Sequence, residues 1–152
     1  MKIPRITKRV PSTLSLRGHP IHPMLINFPI GFLFGAFASD LAYLWTADPF
    51  WARGSFWLIF AGLAGGAVAA MAGFIDFITV RAIREHVESW NHFISAIMGL
   101  SLAMANLVLR WQDMGAIMPW GLVLSGATVA MLSLAGWLGG HLVFRHLIGT
   151  GE

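Results

Sequence analysis

The side chains best suited to chemistry are six histidines, His19, His22, His86, His92, His141 and His146, in a chain without cysteine. Two imidazoles from different helices can hold a haem iron from both sides, and three or four can hold zinc, copper or non-haem iron. His22 with His92 is the first ligand pair to consider and His92 with His141 the second. His19 and His146 extend the same candidate set, whether for haem b or for an imidazole-bound metal. Asp76 could accept a hydrogen bond from a ligand's other ring nitrogen and fix its orientation. A second polar group comprises Asp40, Asn106 and Arg110. Asp40 lies 18 residues after His22, a whole number of helical turns, so both fall on one helix face. Asn106 and Arg110 are one turn apart, and an Asp40–Arg110 pair would satisfy charges that hydrocarbon cannot.

The elements that position these residues follow from composition. Of 152 residues, 57% are hydrophobic and 11% charged, against about 25% charged in an ordinary soluble domain. Four apolar runs stand out, at residues 23–45, 54–80, 89–110 and 118–144. Each exceeds the roughly 20 residues needed to cross a bilayer core. The expected fold is therefore all-α, an integral membrane four-helix up-down bundle over 19–149, behind a basic tail at 1–18. Pro29 cannot donate to the Leu25 carbonyl, which predicts a kink in the first span.

Alternating helix direction sorts the loops to two sides. Lys2, Arg5, Lys8, Arg9, Arg17, Arg81, Arg84 and Arg145 share one side, and only Arg53 and Arg110 fall on the other. The excess of positive charge marks the first side as cytoplasmic, with both termini there, in a bacterial-type inner membrane. Trp45, Trp51, Trp57, Trp111 and Trp120 belt the opposite boundary and Trp90 the cytoplasmic one. All six histidines and Asp76 then sit on the cytoplasmic side. In an up-down bundle the first and third spans stand on a diagonal, which places His22 opposite His92. Beyond His92, Ser95, Ala96, Gly99 and Ala103 form a smooth strip with room for a helix or a flat ring.

A plainer reading stands beside this one. Histidines gather at membrane interfaces because the ring is largely apolar while its nitrogens reach water. His86 is then a loop residue, His146 meets headgroups beside Arg145, and Asp76 pairs with Arg81 or Arg84. Gly62 with Gly66, and Gly136 with Gly140, have the small-xxx-small spacing of helix packing, within the chain or between copies. Glycines beside a flat cofactor would look the same.

The stretch His19-Pro20-Ile21-His22-Pro23, followed by Asn27-Phe28-Pro29-Ile30-Gly31, resembles a bacterial family of small inner-membrane proteins. That family is catalogued as domain of unknown function 2231, predicted membrane protein. The ending Gly136-Trp137-Leu138-Gly139-Gly140-His141-Leu142-Val143-Phe144-Arg145-His146 resembles its closing motif. The likeness covers roughly residues 18 to 149. The family has no settled activity, but relatives are found joined to, or encoded beside, Rieske-type iron–sulfur domains, which implies redox work. This chain has neither such a domain nor the cysteines for thiolate-ligated clusters or covalent haem attachment. Unlike two-haem membrane cytochromes, it places histidines toward one face alone.

The leading expectation is thus electron transfer near the cytoplasmic face, by haem b or a metal, with a quinone, a redox partner or a larger membrane complex. A saturated bis-imidazole iron points away from enzymatic catalysis. The rival is a cofactor-free accessory or scaffold subunit, or a homo-oligomer, docking through its glycine faces. A small transporter using Asp40, Asn106 and Arg110 is a third reading, disfavoured because no inverted repeat is visible. Nucleic acid is no expected partner, since the bases flank spans and read as contacts to the lipid bilayer. No Gly-x-Ser-x-Gly, phosphate-binding loop or zinc-finger spacing occurs.

Overall fold

A computed structural model describes residues 10–149. The chain enters through a tight hairpin of β1 (Ser15–Leu16) and β2 (His19–Pro20). Arg17 and Gly18 both take positive φ, 52° and 81°, which gives a two-residue turn the twist that matches its strands. The helices are α1 (Ile21–Leu25), α2 (Asn27–Thr46), α3 (Pro49–Thr79), α4 (Arg81–Arg84), α5 (Val87–Leu109) and α6 (Trp120–His146).

The first span is α1 and α2 together, Ile21–Thr46, broken at Ile26. The break lies just before Pro29, whose ring removes the donor and crowds the Leu25 carbonyl. The second span starts cleanly: Asp48 caps α3 by accepting from the Phe50 amide at 2.9 Å, and Pro49 occupies the first helical position. Its far end stops at the extended Val80, where Arg84 donates to the carbonyls of Phe77 and Ile78. Helix α6 ends with Leu147 at φ 53°, and the Ile148 amide turns back to the Leu142 carbonyl at 3.1 Å.

Four helices are long and apolar enough to cross a membrane: Ile21–Thr46, Pro49–Thr79, Val87–Leu109 and Trp120–His146. They lie within a few residues of the apolar runs in the sequence. Each packs against its neighbour in sequence, and α2 also packs against α6, which closes a four-sided bundle with α2 and α5 on a diagonal. Leu33, Ala36, Phe56, Ile59, Leu63, Ala103, Leu107 and Leu132 fill its centre. The outer faces are apolar as well: Phe34, Phe60, Val68, Met71, Ile94, Met104 and Val123 are all exposed. Helices that are hydrophobic all round belong in lipid, and the chain is an all-α, multi-pass membrane protein. Trp45, Trp57, Trp111 and Trp120 also point outward.

Both described ends meet at one end of the bundle. Val10 bridges Ile148, and Phe77, Ile83, Leu142 and Ile148 form a small core beneath them. Residues 10–18 fold back onto this end of the bundle. Lys2, Arg5, Lys8 and Arg9 lie outside the described residues.

Candidate functional site

His22 is the second residue of α1, and His92 lies in the second turn of α5. The helix directions bring them together across the diagonal. Their ring centroids are 6.1 Å apart and their planes 86° apart. Each ring is anchored by the next membrane span, α3 for His22 and α6 for His92. Nδ1 of His22 lies 2.7 Å from the Ala69 carbonyl on α3, and Nδ1 of His92 lies 2.8 Å from the Ala135 carbonyl on α6. A carbonyl can only accept, so both Nδ1 atoms donate, which leaves Nε2 of each ring as the atom able to take a ligand. Backbone carbonyls of this kind are a common outer partner for metal-bound imidazole.

Two glycines permit that approach. A Cβ added at Gly73 would stand 2.8 Å from Nδ1 of His22, and one at Gly139 would stand 3.3 Å from Nδ1 of His92. Each glycine follows its accepting alanine by four residues. The arrangement repeats along the chain: His22 and His92 are 70 positions apart, as are Asp40 and Arg110. The bundle is thus two helical hairpins, α2–α3 and α5–α6, that face each other through these pairs.

Both imidazoles border a cavity of about 450 Å³ at the end of the bundle where the two termini meet. Its wall is largely apolar, with Phe74, Phe77, Phe93, Ile97 and Leu100 among the lining side chains. Phe77 stacks on Phe93 at 5.1 Å with planes 9° apart. Ser89 also lines the cavity at 2% exposure, and among the described residues its hydroxyl has no hydrogen-bond partner. A volume of this order suits a small molecule or cofactor.

Asp76 borders the cavity but does not orient either imidazole. Its carboxylate accepts from Ser12 Oγ at 2.5 Å and from the amides of Thr13 and Leu14 at 2.8 and 3.1 Å. The expected histidine partner is replaced by backbone carbonyls because the helices already offer them at ring height. Nor does Asp76 pair with arginine: Arg81 meets Glu85 on the surface at 3.3 Å, and Arg84 caps α3.

The remaining histidines separate from the pair. His19 is exposed in the hairpin, with Nδ1 3.1 Å from the Arg17 carbonyl. His141 packs on Trp137 at 4.5 Å, one turn away on an outward face, so it is no alternative ligand beside His92. His146 sits 4.3 Å from His86, which is therefore more than a plain loop residue.

The glycine pairs also divide. Gly62 receives Leu33 and Gly66 receives Leu100, where added Cβ atoms would meet them at 2.7 and 2.6 Å. These are packing sites within the chain. Gly136 and Gly140 instead border the cavity, and an added Cβ at Gly136 would meet nothing within 4 Å. They do not pack a helix of this chain. The strip beyond His92 belongs mainly to helix packing, since Gly99 faces Leu132 on α6, and Ala96 borders the cavity.

At the opposite end of the bundle Asp40 and Arg110 meet, both fully buried. Arg110 donates from Nη1 to Oδ1 and from Nη2 to Oδ2, each at 2.7 Å. Its Nε donates to Asn106 Oδ1 at 2.8 Å, and Asn106 in turn donates to the Gly121 carbonyl and to Ser125. Ser55 and Ser125 complete the network. Every charged atom has a partner, which is the arrangement of a structural clamp.

Residues 18–152 match a family model described as Predicted membrane protein (DUF2231). No curated protein and no solved structure matches the chain.

Proposed function

We propose, since this chain belongs to the DUF2231 family of predicted membrane proteins, that it holds haem b or a single metal ion between His22 and His92 and serves electron transfer near one membrane face. The observation that supports this reading is the pair itself. Two imidazoles on diagonal helices each commit Nδ1 to a backbone carbonyl and keep Nε2 for a ligand, beside an apolar cavity. The ring centroids stand 6.1 Å apart, close enough for both imidazoles to hold one metal centre between them. A haem held by His22 and His92 would exchange single electrons.

The chain's own residues would do the rest. Phe74, Phe77 and Phe93 present flat apolar surface to a macrocycle, Gly136 and Gly140 leave the opposite wall smooth, and the Ser89 hydroxyl offers a donor. The excess of positive residues flanking this end supports the reading that it faces the cytoplasm, in a bacterial inner membrane. One site near one face does not span a ~30 Å hydrocarbon core, so a redox partner or a larger membrane complex must supply or take the electron.

The deciding experiment uses detergent-purified protein, reduced-minus-oxidised spectra and metal analysis. A Soret band, or a metal that His22→Ala and His92→Ala each remove, is expected. A wild-type protein with no Soret band and no metal that these two substitutions remove would overturn the reading and leave the accessory subunit without a cofactor at this site.

A further inference from the structure

His86, Glu88 and His146 form a second cluster, outside the lining of the cavity. His86 caps the start of α5, Glu88 lies in that helix's first turn, and His146 is the last residue of α6. One possible ligand atom from each lies within 4.8 Å of the other two, and all three side chains are half-buried. The His86 and His146 rings pack at 4.3 Å with planes 47° apart. Among the described residues none of the three side chains forms a hydrogen bond or an ion pair, so their donor atoms are uncommitted. Arg84 is occupied by the Phe77 and Ile78 carbonyls, and Arg145 is exposed; neither pairs with Glu88.

We propose that His86, Glu88 and His146 bind one divalent transition-metal ion of the zinc type, which clamps the start of α5 to the end of α6. The donor set selects the class of ion. Two neutral imidazoles and one carboxylate are the ligands of zinc and its first-row neighbours, whereas magnesium and calcium require mostly oxygen. Ligand bonds of about 2.0–2.2 Å need donors roughly 3.3–3.5 Å apart. Donors within 4.8 Å of one another must close by up to about 1.5 Å, a distance that side-chain χ rotation can cover. Three protein ligands leave a fourth position for water. This site is independent of the one between His22 and His92.

The test uses the full, tag-free chain in detergent, stripped with chelator and titrated with Zn²⁺ by calorimetry. A His22→Ala/His92→Ala double variant serves as background, so that binding at the cavity is not counted. One Zn²⁺ per chain is expected in that background, together with a rise in Tm on zinc addition. Glu88→Gln, which is isosteric, and His86→Ala should each weaken binding at least tenfold and abolish the rise in Tm. Helicity by circular dichroism checks each variant, and if one fails to fold the other decides. No stoichiometric zinc in the double variant, or affinity unchanged by Glu88→Gln and His86→Ala, would overturn the proposal.

Discussion

Gly73 stands against the imidazole of His22: a methyl group there would lie 2.8 Å from Nδ1, in the space through which the ring reaches the Ala69 carbonyl. The neighbour is the ring's anchored edge, which cannot yield without breaking that hydrogen bond.

Gly73→Ala should therefore turn His22 away from its acceptor while leaving every candidate ligand in place. Bound cofactor or metal is expected to fall by about ten- to a hundredfold, as when an outer partner of a ligand is removed. Gly31→Ala, where an added methyl meets nothing within 4 Å, should leave it unchanged. Spectra and metal content of the two variants, purified side by side, check this. Equal loss in both would show that the contact has no special role.

Gly136→Leu probes the cavity wall. The added side chain meets no helix of this chain at its Cβ, so helicity and Tm should change little. It projects beside the cavity, so binding there should drop. A subunit whose Gly136 face docked a partner would instead lose assembly with spectra intact, which native gels of the membrane complex would reveal.

Removing one partner of the Asp40–Arg110 pair leaves the other charge buried. Asp40→Leu alone is expected to cost about 3–5 kcal/mol, measured by unfolding in mixed micelles. Asp40→Leu with Arg110→Met should recover most of the loss, because replacing both buried charges by apolar groups is often neutral. A double variant as unstable as the single one would mean that the network does more than satisfy itself.

Asp76→Asn keeps the shape of the residue but weakens the acceptor for Ser12, Thr13 and Leu14. The cost should be about 1–3 kcal/mol, felt locally. Hydrogen exchange should quicken over residues 10–16 while the four spans stay protected. If the cofactor spectrum shifted instead, Asp76 would be coupled to the imidazoles despite its present partners.

What could be read from the sequence was whatever lipid makes obligatory. Apolar runs of span length have few alternatives, and two lone charges in hydrocarbon have to find one another, so Asp40 and Arg110 were legible. The diagonal approach of His22 and His92 followed from helix direction alone. Asp76 was not legible, because its partners include backbone amides of Thr13 and Leu14, and an amide leaves no trace in residue type. The anchoring carbonyls of Ala69 and Ala135 are silent for the same reason. A signal for them did exist: Gly73 and Gly139 each stand four residues after the accepting alanine. The outward turn of His141 was also available, since Trp137 shares its face one turn earlier. His86 and His146 meet through where α5 begins and α6 ends, a detail finer than span boundaries allow.

The equal spacing of His22 to His92 and of Asp40 to Arg110 carries one more implication. The two hairpins contribute the same residue to the pair at one end and opposite charges to the pair at the other. Were either hairpin to associate with a copy of itself, two carboxylates or two guanidiniums would confront each other in hydrocarbon with nothing to neutralise them. Each half is complementary to the other and repelled by its own likeness, so a closed bundle needs one hairpin of each kind.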